Sequence, residues 1–262
     1  MTNTSDSSTP TSTKAGMKLV LNGHTLTKTS QPISVTGGSL TITNGTITAN
    51  IKTTLNITGG TVNINGSSSS IVIKNTRVIS SHDETCQTIY LKGATLNMSG
   101  ANANIQAGSA SNGYARTVLV DSGTFNMTGG KIVVTAKVSG KYGPVGVNVH
   151  GRFTMSGGSI TASTISDGYA VSANKNGKVN ITGGSVTATG RGKNDGIGAV
   201  VNTEHADNSC VFIGSGAKIS CTSAHYCVAG HKTTIRIQSG ATISTSNVKT
   251  AKKNTKTSSS TC

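Results

Sequence analysis

Short apolar runs alternate with Thr, Ser and Asn along nearly the whole chain, and Gly or Asn interrupts each run before it reaches helical length. Apolar residues at every second position are the signature of strands with one face turned inward. The segments FNMTGGKIVV (125–134), FTMSGGSITA (153–162) and VNITGGSVTA (179–188) write this alternation in one ten-residue form. Two apolar positions one apart are followed by Thr or Ser, a Gly pair, and two more apolar positions. Aligned on the first Gly, the copies fall at Gly37, Gly59, Gly100, Gly129, Gly157 and Gly183, with looser copies at 211–220 and 235–244. The spacings are 22, 41, 29, 28 and 26 residues. The long gap contains the degenerate copy IVIKNTRVIS (71–80), so it reads as two periods.

Between the Gly pairs lies a second recurring unit, at 111–123, 140–151, 166–177, 193–202 and 223–232: a loop, a small turn residue, a short apolar strand and another turn. One period is therefore three strands. A strand-type repeat of 20–30 residues signals a β-solenoid, because one turn cannot bury its apolar face without a similar turn above and below. The predicted fold is all-β, a right-handed parallel β-helix with three strands per turn and turns about 4.8 Å apart. Phe125 should stack on Phe153, Met127 on Met155 and Ile132 on Ile160. Asn56, Asn97, Asn126 and Asn180 should form one outward column, and Tyr114, Tyr142, Tyr169 and Tyr226 another along a loop edge.

On these residues the chain resembles the single-stranded right-handed β-helix proteins of the pectate-lyase-like superfold. The TGG units resemble repeats of bacterial surface adhesins. The resemblance covers roughly residues 18–245 and implies the fold; activity does not follow, since that fold carries lyases, hydrolases, phage tailspikes and adhesins alike.

Composition narrows the choice. The chain has 33 Gly, no Trp, 3% aromatic residues and a formal charge of +15 from 23 Lys plus Arg against 8 Asp plus Glu. Such a balance favours anionic partners, here an anionic polysaccharide or cell-wall polymer. Nucleic acid is not expected, because stacking aromatics are scarce and no nucleic-acid motif occurs. No apolar run approaches the roughly 18 residues that mark a membrane span, and no N-terminal apolar core marks a signal peptide. Residues 1–16 read as a flexible Ser/Thr-rich segment, 17–245 as the β-helix with 17–28 as its capping turn, and 246–262 as a solvated Lys/Ser-rich tail.

Few groups carry candidate chemistry. Asp83 and Glu84, beside His82, are either an acid/base or metal cluster or a solvated loop. Asp167 and Asp195 open equivalent loops one turn apart, a spacing suited to acting on one sugar and equally to ordinary Asp-Gly turns. Polygalacturonase-like members of the superfold carry Asn-Thr-Asp, Asp-Asp, Gly-His-Gly and Arg-Ile-Lys. This chain holds the fragments NDG (194–196), VHG (149–151) and IRI (235–237), and lacks the Asp-Asp pair and any pectate-lyase-like calcium cluster. No metal site and no cofactor are expected. Cys221 and Cys227 flank a loop and read as a local disulfide in an oxidising compartment or as buried thiols. Cys262 reads as exposed and open to intermolecular linkage. The Asn-x-Ser/Thr triplets follow from the repeat itself, and the Thr-x-Thr steps are too interrupted for a flat ice-binding array.

The expected function is a non-catalytic structural or adhesive β-solenoid outside the cell, on a cell surface or in a virion. It would bind through Tyr114, Tyr142 and Tyr169 and the basic loop holding Arg191 and Lys193, or self-associate. A phage tailspike segment binding a surface glycan and a polysaccharide lyase or hydrolase are the alternatives.

Overall fold

Alternating apolar residues give strands that bury every second side chain, and in this protein those strands stack only in parallel. The computed structural model describes residues 4–6, 11–12, 14–79, 85–107, 109–110, 114–136, 144–164, 168–190, 197–203, 205–222, 226–246 and 250–262. Among them there is no helix. A representative turn runs Tyr114–Val120, Gly123–Met127 and Lys131–Ala136, and the next runs Val145–Val149, Arg152–Met155 and Ser159–Thr164. The three strands of each turn pair with their counterparts in the turns on either side, giving three sheets, here first, second and third in chain order. The fold is the β-helix expected from the repeat.

The core is a set of ladders. In the second sheet Phe125, Phe153 and Val179 are in register, as are Met98, Met127, Met155 and Ile181. In the third sheet Ile105, Ile132, Ile160 and Val186 follow one another. All are fully buried. The Phe125 and Phe153 rings lie 5.1 Å apart between centroids at 31°, a tilted contact that adds to the burial itself. Each buried aliphatic side chain contributes about 1.5–3 kcal/mol, delivered almost wholly to neighbouring turns.

Glycine makes the corner between second and third sheets. Gly158 has φ +83°, and a Cβ on Gly157 would lie 2.5 Å from the Thr128 carbonyl oxygen of the turn before. Gly129 and Gly183 occupy this same corner, as Gly100 does. Gly37 and Gly59 do not. The strand after Gly59 and the strand before Gly100 are register partners, Val62 beside Leu96 and Asn63 beside Asn97. The Gly pair has moved from the first–second corner to the second–third corner. The 41-residue gap is therefore one turn plus one strand, not two turns. Both corners need the same backbone freedom, so the ten-residue unit does not distinguish them.

The same shift corrects the asparagine column. Asn63, Asn97 and Asn126 are in it, with Asn97 Nδ2 donating to Asn63 Oδ1 at 2.9 Å and Asn126 Nδ2 to Asn97 Oδ1 at 3.0 Å, and Asn180 keeps its place in it beyond Thr154. Asn56 lies in the first sheet beside Tyr90.

First-sheet strands carry a kink. Ala170 and Val171 both join the core, as do Ala199 with Val200 and Cys227 with Val228. Two consecutive inward residues break the period of two, and the first must be small: a Cβ on Gly146 would meet Ile160 Cγ2 at 3.1 Å. The kink turns Tyr169 and Tyr226 to the outer face, three residues before Ser172 and Ala229.

Both flanks add strands to the stack, contrary to the flexible segment and solvated tail expected there. Thr4–Asp6 pairs with residues 26–28, and Thr11–Ser12 with 34–35. Thr250–Lys253 continues the first sheet and Thr255–Thr257 the second. The chain then returns along the outside of the second sheet. Cys262 N–H donates to Asn180 Oδ1 at 2.8 Å, Arg236 Nη1 donates to the Thr261 carbonyl at 3.3 Å, and Cys262 is disulfide-bonded to Cys210. This strap crosses the column Asn180–Phe212–Arg236, and Phe212, on the outer face, is 2% exposed.

Candidate functional site

The strand ends of the first sheet bring side chains from distant turns into one row. Leu91 pairs with Val120, and Val120 with Val149. The next residues, Lys92, Asp121 and His150, thus occupy one place in three successive turns. Backbone hydrogen bonds hold them there, Asp121 N–H to the Leu91 carbonyl at 2.9 Å and His150 N–H to that of Val120 at 2.8 Å.

Tyr90, on the outer face two residues before Lys92, donates its hydroxyl to Asp121 Oδ2 at 3.2 Å. Burial pushes the Tyr90 phenol up, and the neighbouring Asp121 carboxylate pushes it further, so it stays a donor. Burial holds the half-buried His150 imidazole below its ordinary value; Asp121 opposes that shift and Arg116 reinforces it. His150 is thus a neutral imidazole at neutral pH, beside a carboxylate. The pair can donate and accept protons or hydrogen bonds toward a ligand lying across the turns.

Polar groups continue the row. Asn174 Nδ2 donates to Asn148 Oδ1 at 2.9 Å, and Thr203 Oγ1 donates to Asn174 Oδ1 at 2.9 Å. From Tyr90 to Thr203 the row crosses four turn-to-turn steps, roughly 19 Å at sheet spacing. Among the described residues no three His, Cys, Asp or Glu side chains come together as a metal site would require.

The sites expected from sequence fare differently. Asp167, Asp195, Arg191, Lys193 and Tyr142 lie outside the described residues, as do His82 and Asp83 with Glu84. For Tyr114 only the backbone is described, and it pairs with Thr85. The common tyrosine column does not form as expected: Tyr169 is in line with Val145, and Val145 with Arg116, two residues beyond Tyr114. Tyr169 and Tyr226 do share a column, with Gly198 between them, and Lys253 Nζ sits 5.1 Å from the Tyr226 ring centroid.

The cysteines are also redistributed. The disulfide joins Cys210 to Cys262, 52 residues apart, so Cys262 is not an exposed linker. Cys221 and Cys227 are buried thiols in contact with each other. Cys221 ends a third-sheet strand and Cys227 lies in the first-sheet strand of the following turn, both inside the core.

In the sequence His150 stands out only as part of a VHG fragment, and Asp121 and Tyr90 belong to no motif. A signal is present all the same: VLVD (118–121) and VNVH (147–150) end equivalent strands with an ionisable residue one turn apart. No known protein family, curated protein or solved structure matches the chain.

Proposed function

We propose that the protein is a non-catalytic structural or adhesive β-solenoid working outside the cell, which binds extended anionic glycans or cell-wall polymers along its outer face. The observation that carries this reading is the row from Tyr90 to Thr203, a line of hydrogen-bonding groups set at regular intervals by the turns beneath it. A repetitive polymer is the ligand class that a repetitive row fits. The net charge of +15 favours an anionic one. The Cys210–Cys262 disulfide supports an oxidising, extracellular setting. The test is sedimentation with insoluble or immobilised acidic polysaccharides. Asn174→Ala with Asn148→Ala should weaken binding several-fold at fixed salt, and an unchanged affinity would reject the row as the binding surface.

A second reading has its own observation. The Tyr90–Asp121–His150 group combines a neutral imidazole, a carboxylate and a phenol, which suits acid/base chemistry on a polysaccharide. Incubation with acidic and neutral polysaccharides separates the two. Release of oligosaccharides that disappears in His150→Ala makes the protein an enzyme, whereas binding without release keeps the adhesive reading.

A further inference from the structure

Where the chain passes from one turn to the next, the end of a third-sheet strand faces the kink of the following first-sheet strand. Third-sheet register places Ala162, Ala188 and Cys221 in one column. The first-sheet pairs Val171–Val200 and Val200–Val228 place Ala170, Ala199 and Cys227 in another. All six are at most 2% exposed and belong to the same core. Two successive turns thus set Ala against Ala at this corner, and the third sets Cys against Cys.

Both side chains lie inside this corner of the core. Cys227 Sγ lies 3.9 Å from the Ser244 carbonyl oxygen, and Ser244 neighbours Thr245, the register partner of Cys221. Cys221 and Cys227 are close enough that each shifts the ionisation of the other. Other cysteines cannot compete. Cys86 belongs to a separate small cluster with Ile79 and Ala115, and Cys210 is bonded to Cys262 on the outer face of the second sheet.

We propose that Cys221 and Cys227 form an oxidisable dithiol that closes to a disulfide across this corner. The oxidant is a low-molecular-weight disulfide such as oxidised glutathione. The Cys221 thiolate attacks one of its sulfurs, its S–S bond breaks, and one glutathione thiolate leaves. The Cys227 thiolate then attacks the Cys221 sulfur of the mixed disulfide and expels the second glutathione thiolate. Two protein thiols are oxidised, one glutathione disulfide is reduced, and the two protons end on the departing glutathione thiols.

The two thiols are not equivalent. The neighbouring Cys227 holds the Cys221 thiol below its ordinary value, while Cys221 and burial push Cys227 up. Cys221 is therefore the first nucleophile and Cys227 the resolving group. The bond would tie the last complete turn to the one before it, next to the strap already held by Cys210–Cys262.

The experiment uses the full chain. Native protein is held with oxidised glutathione at mildly alkaline pH, and in parallel the reduced, unfolded chain is refolded in a glutathione redox buffer. Both are alkylated and cleaved at lysine without reduction. Cleavage at Lys218 and Lys232 leaves both cysteines in one peptide, 219–232. The expected result is that this peptide becomes about 2 Da lighter and refuses alkylation, while the Cys86 peptide remains alkylated. The Cys221→Ala/Cys227→Ala variant, which restores the Ala pair of the earlier turns, should fold and show no such peptide. A stable glutathione adduct of about 305 Da on either cysteine, pairing of either with Cys86, or two alkylated thiols under both conditions would overturn the proposal.

Discussion

Removing the Cys210–Cys262 disulfide with Cys262→Ser should unfasten one end of the solenoid and leave the rest standing. The bond closes a loop of 52 residues, for which chain entropy alone gives about 4 kcal/mol at 25 °C. Once the strap leaves, Phe212 loses its cover, and exposing a buried Phe costs about 1.5–3 kcal/mol more. The hydrogen bonds from Cys262 N–H to Asn180 and from Arg236 to Thr261 go with it. Because turns contact only their neighbours, this loss falls on the C-terminal turns and does not spread through the ladder.

Hydrogen exchange resolved by residue is therefore the informative assay. Amides of 210–213, 226–230 and 250–257 should lose protection by two or more orders of magnitude in Cys262→Ser or on reduction, while those of 118–134 and 147–162 stay as they were. Thermal unfolding should change from one transition to two, the new one at lower temperature. Uniform deprotection along the chain would show that the solenoid unfolds as one unit. Unchanged protection at 226–257 would show that the strap contributes nothing, and either result refutes the reasoning.

Phe153→Ala removes the ring between Phe125 and Val179 and should cost about 3–5 kcal/mol, read as a lowered denaturant midpoint. Gly157→Ala forces a methyl against the Thr128 carbonyl; a loss of about 1–3 kcal/mol is expected in the same measurement. Thr117 Oγ1 is buried with no hydrogen-bond partner at the kink where later turns use Ala. Thr117→Ala should accordingly leave the midpoint unchanged or raise it, and a large drop would count against the kink. His150 is held below its ordinary value in the fold, so the unfolded chain takes up that proton first as pH falls. Its contribution is complete above the unfolded value of about 6.5 and is lost as pH drops through that value toward the folded one. His150→Gln should flatten this part of a melting-temperature profile against pH.

The ladders were legible because alternation of apolar and polar residues is itself the geometry of a half-buried strand. Phe125 on Phe153 and Met127 on Met155 needed only the repeat length. Corner assignment was not legible, since Gly60 at one corner and Gly158 at the other both take positive φ and the surrounding Thr and Ser are the same. The tyrosine column failed because the local GYA triplets at 113–115 and 168–170 are not register equivalents: the register sets Arg116, not Tyr114, in line with Val145 and Tyr169. The kink residues Thr117, Gly146 and Ala170 are in register, so Tyr114 stands three residues before its kink and Tyr169 only one. The Cys210–Cys262 bond depends on the chain reversing along the second sheet, which no local spacing records. Asp121 and His150 were visible as strand-end residues but became a pair only through the register of Val120 and Val149.

That reversal also changes what the C-terminal lysines mean. A disordered run would act as a mobile polyelectrolyte, attracting any polyanion through charges that salt screens over about 8 Å. In the fold Lys252 and Lys253 are rungs beside Val228 and Ala229, and Lys256 stands beside Arg236. Lys252 and Lys256 also line a cleft of about 310 Å³ with Ile237, Gln238 and Thr255 at the end of the stack. Charges at fixed separations would favour polymers whose own charges match over general attraction. Deleting 246–262 would remove a turn segment, a disulfide and these charges together, and so cannot isolate the electrostatic part. Lys252→Gln with Lys256→Gln can, because both side chains are exposed and the strands and the disulfide stay in place. Binding to an acidic polysaccharide should weaken several-fold at low salt and depend less on added salt, with the melting temperature unmoved. Equal affinity and an equal salt slope in the variant would move the attraction away from this end of the solenoid and onto the other basic residues.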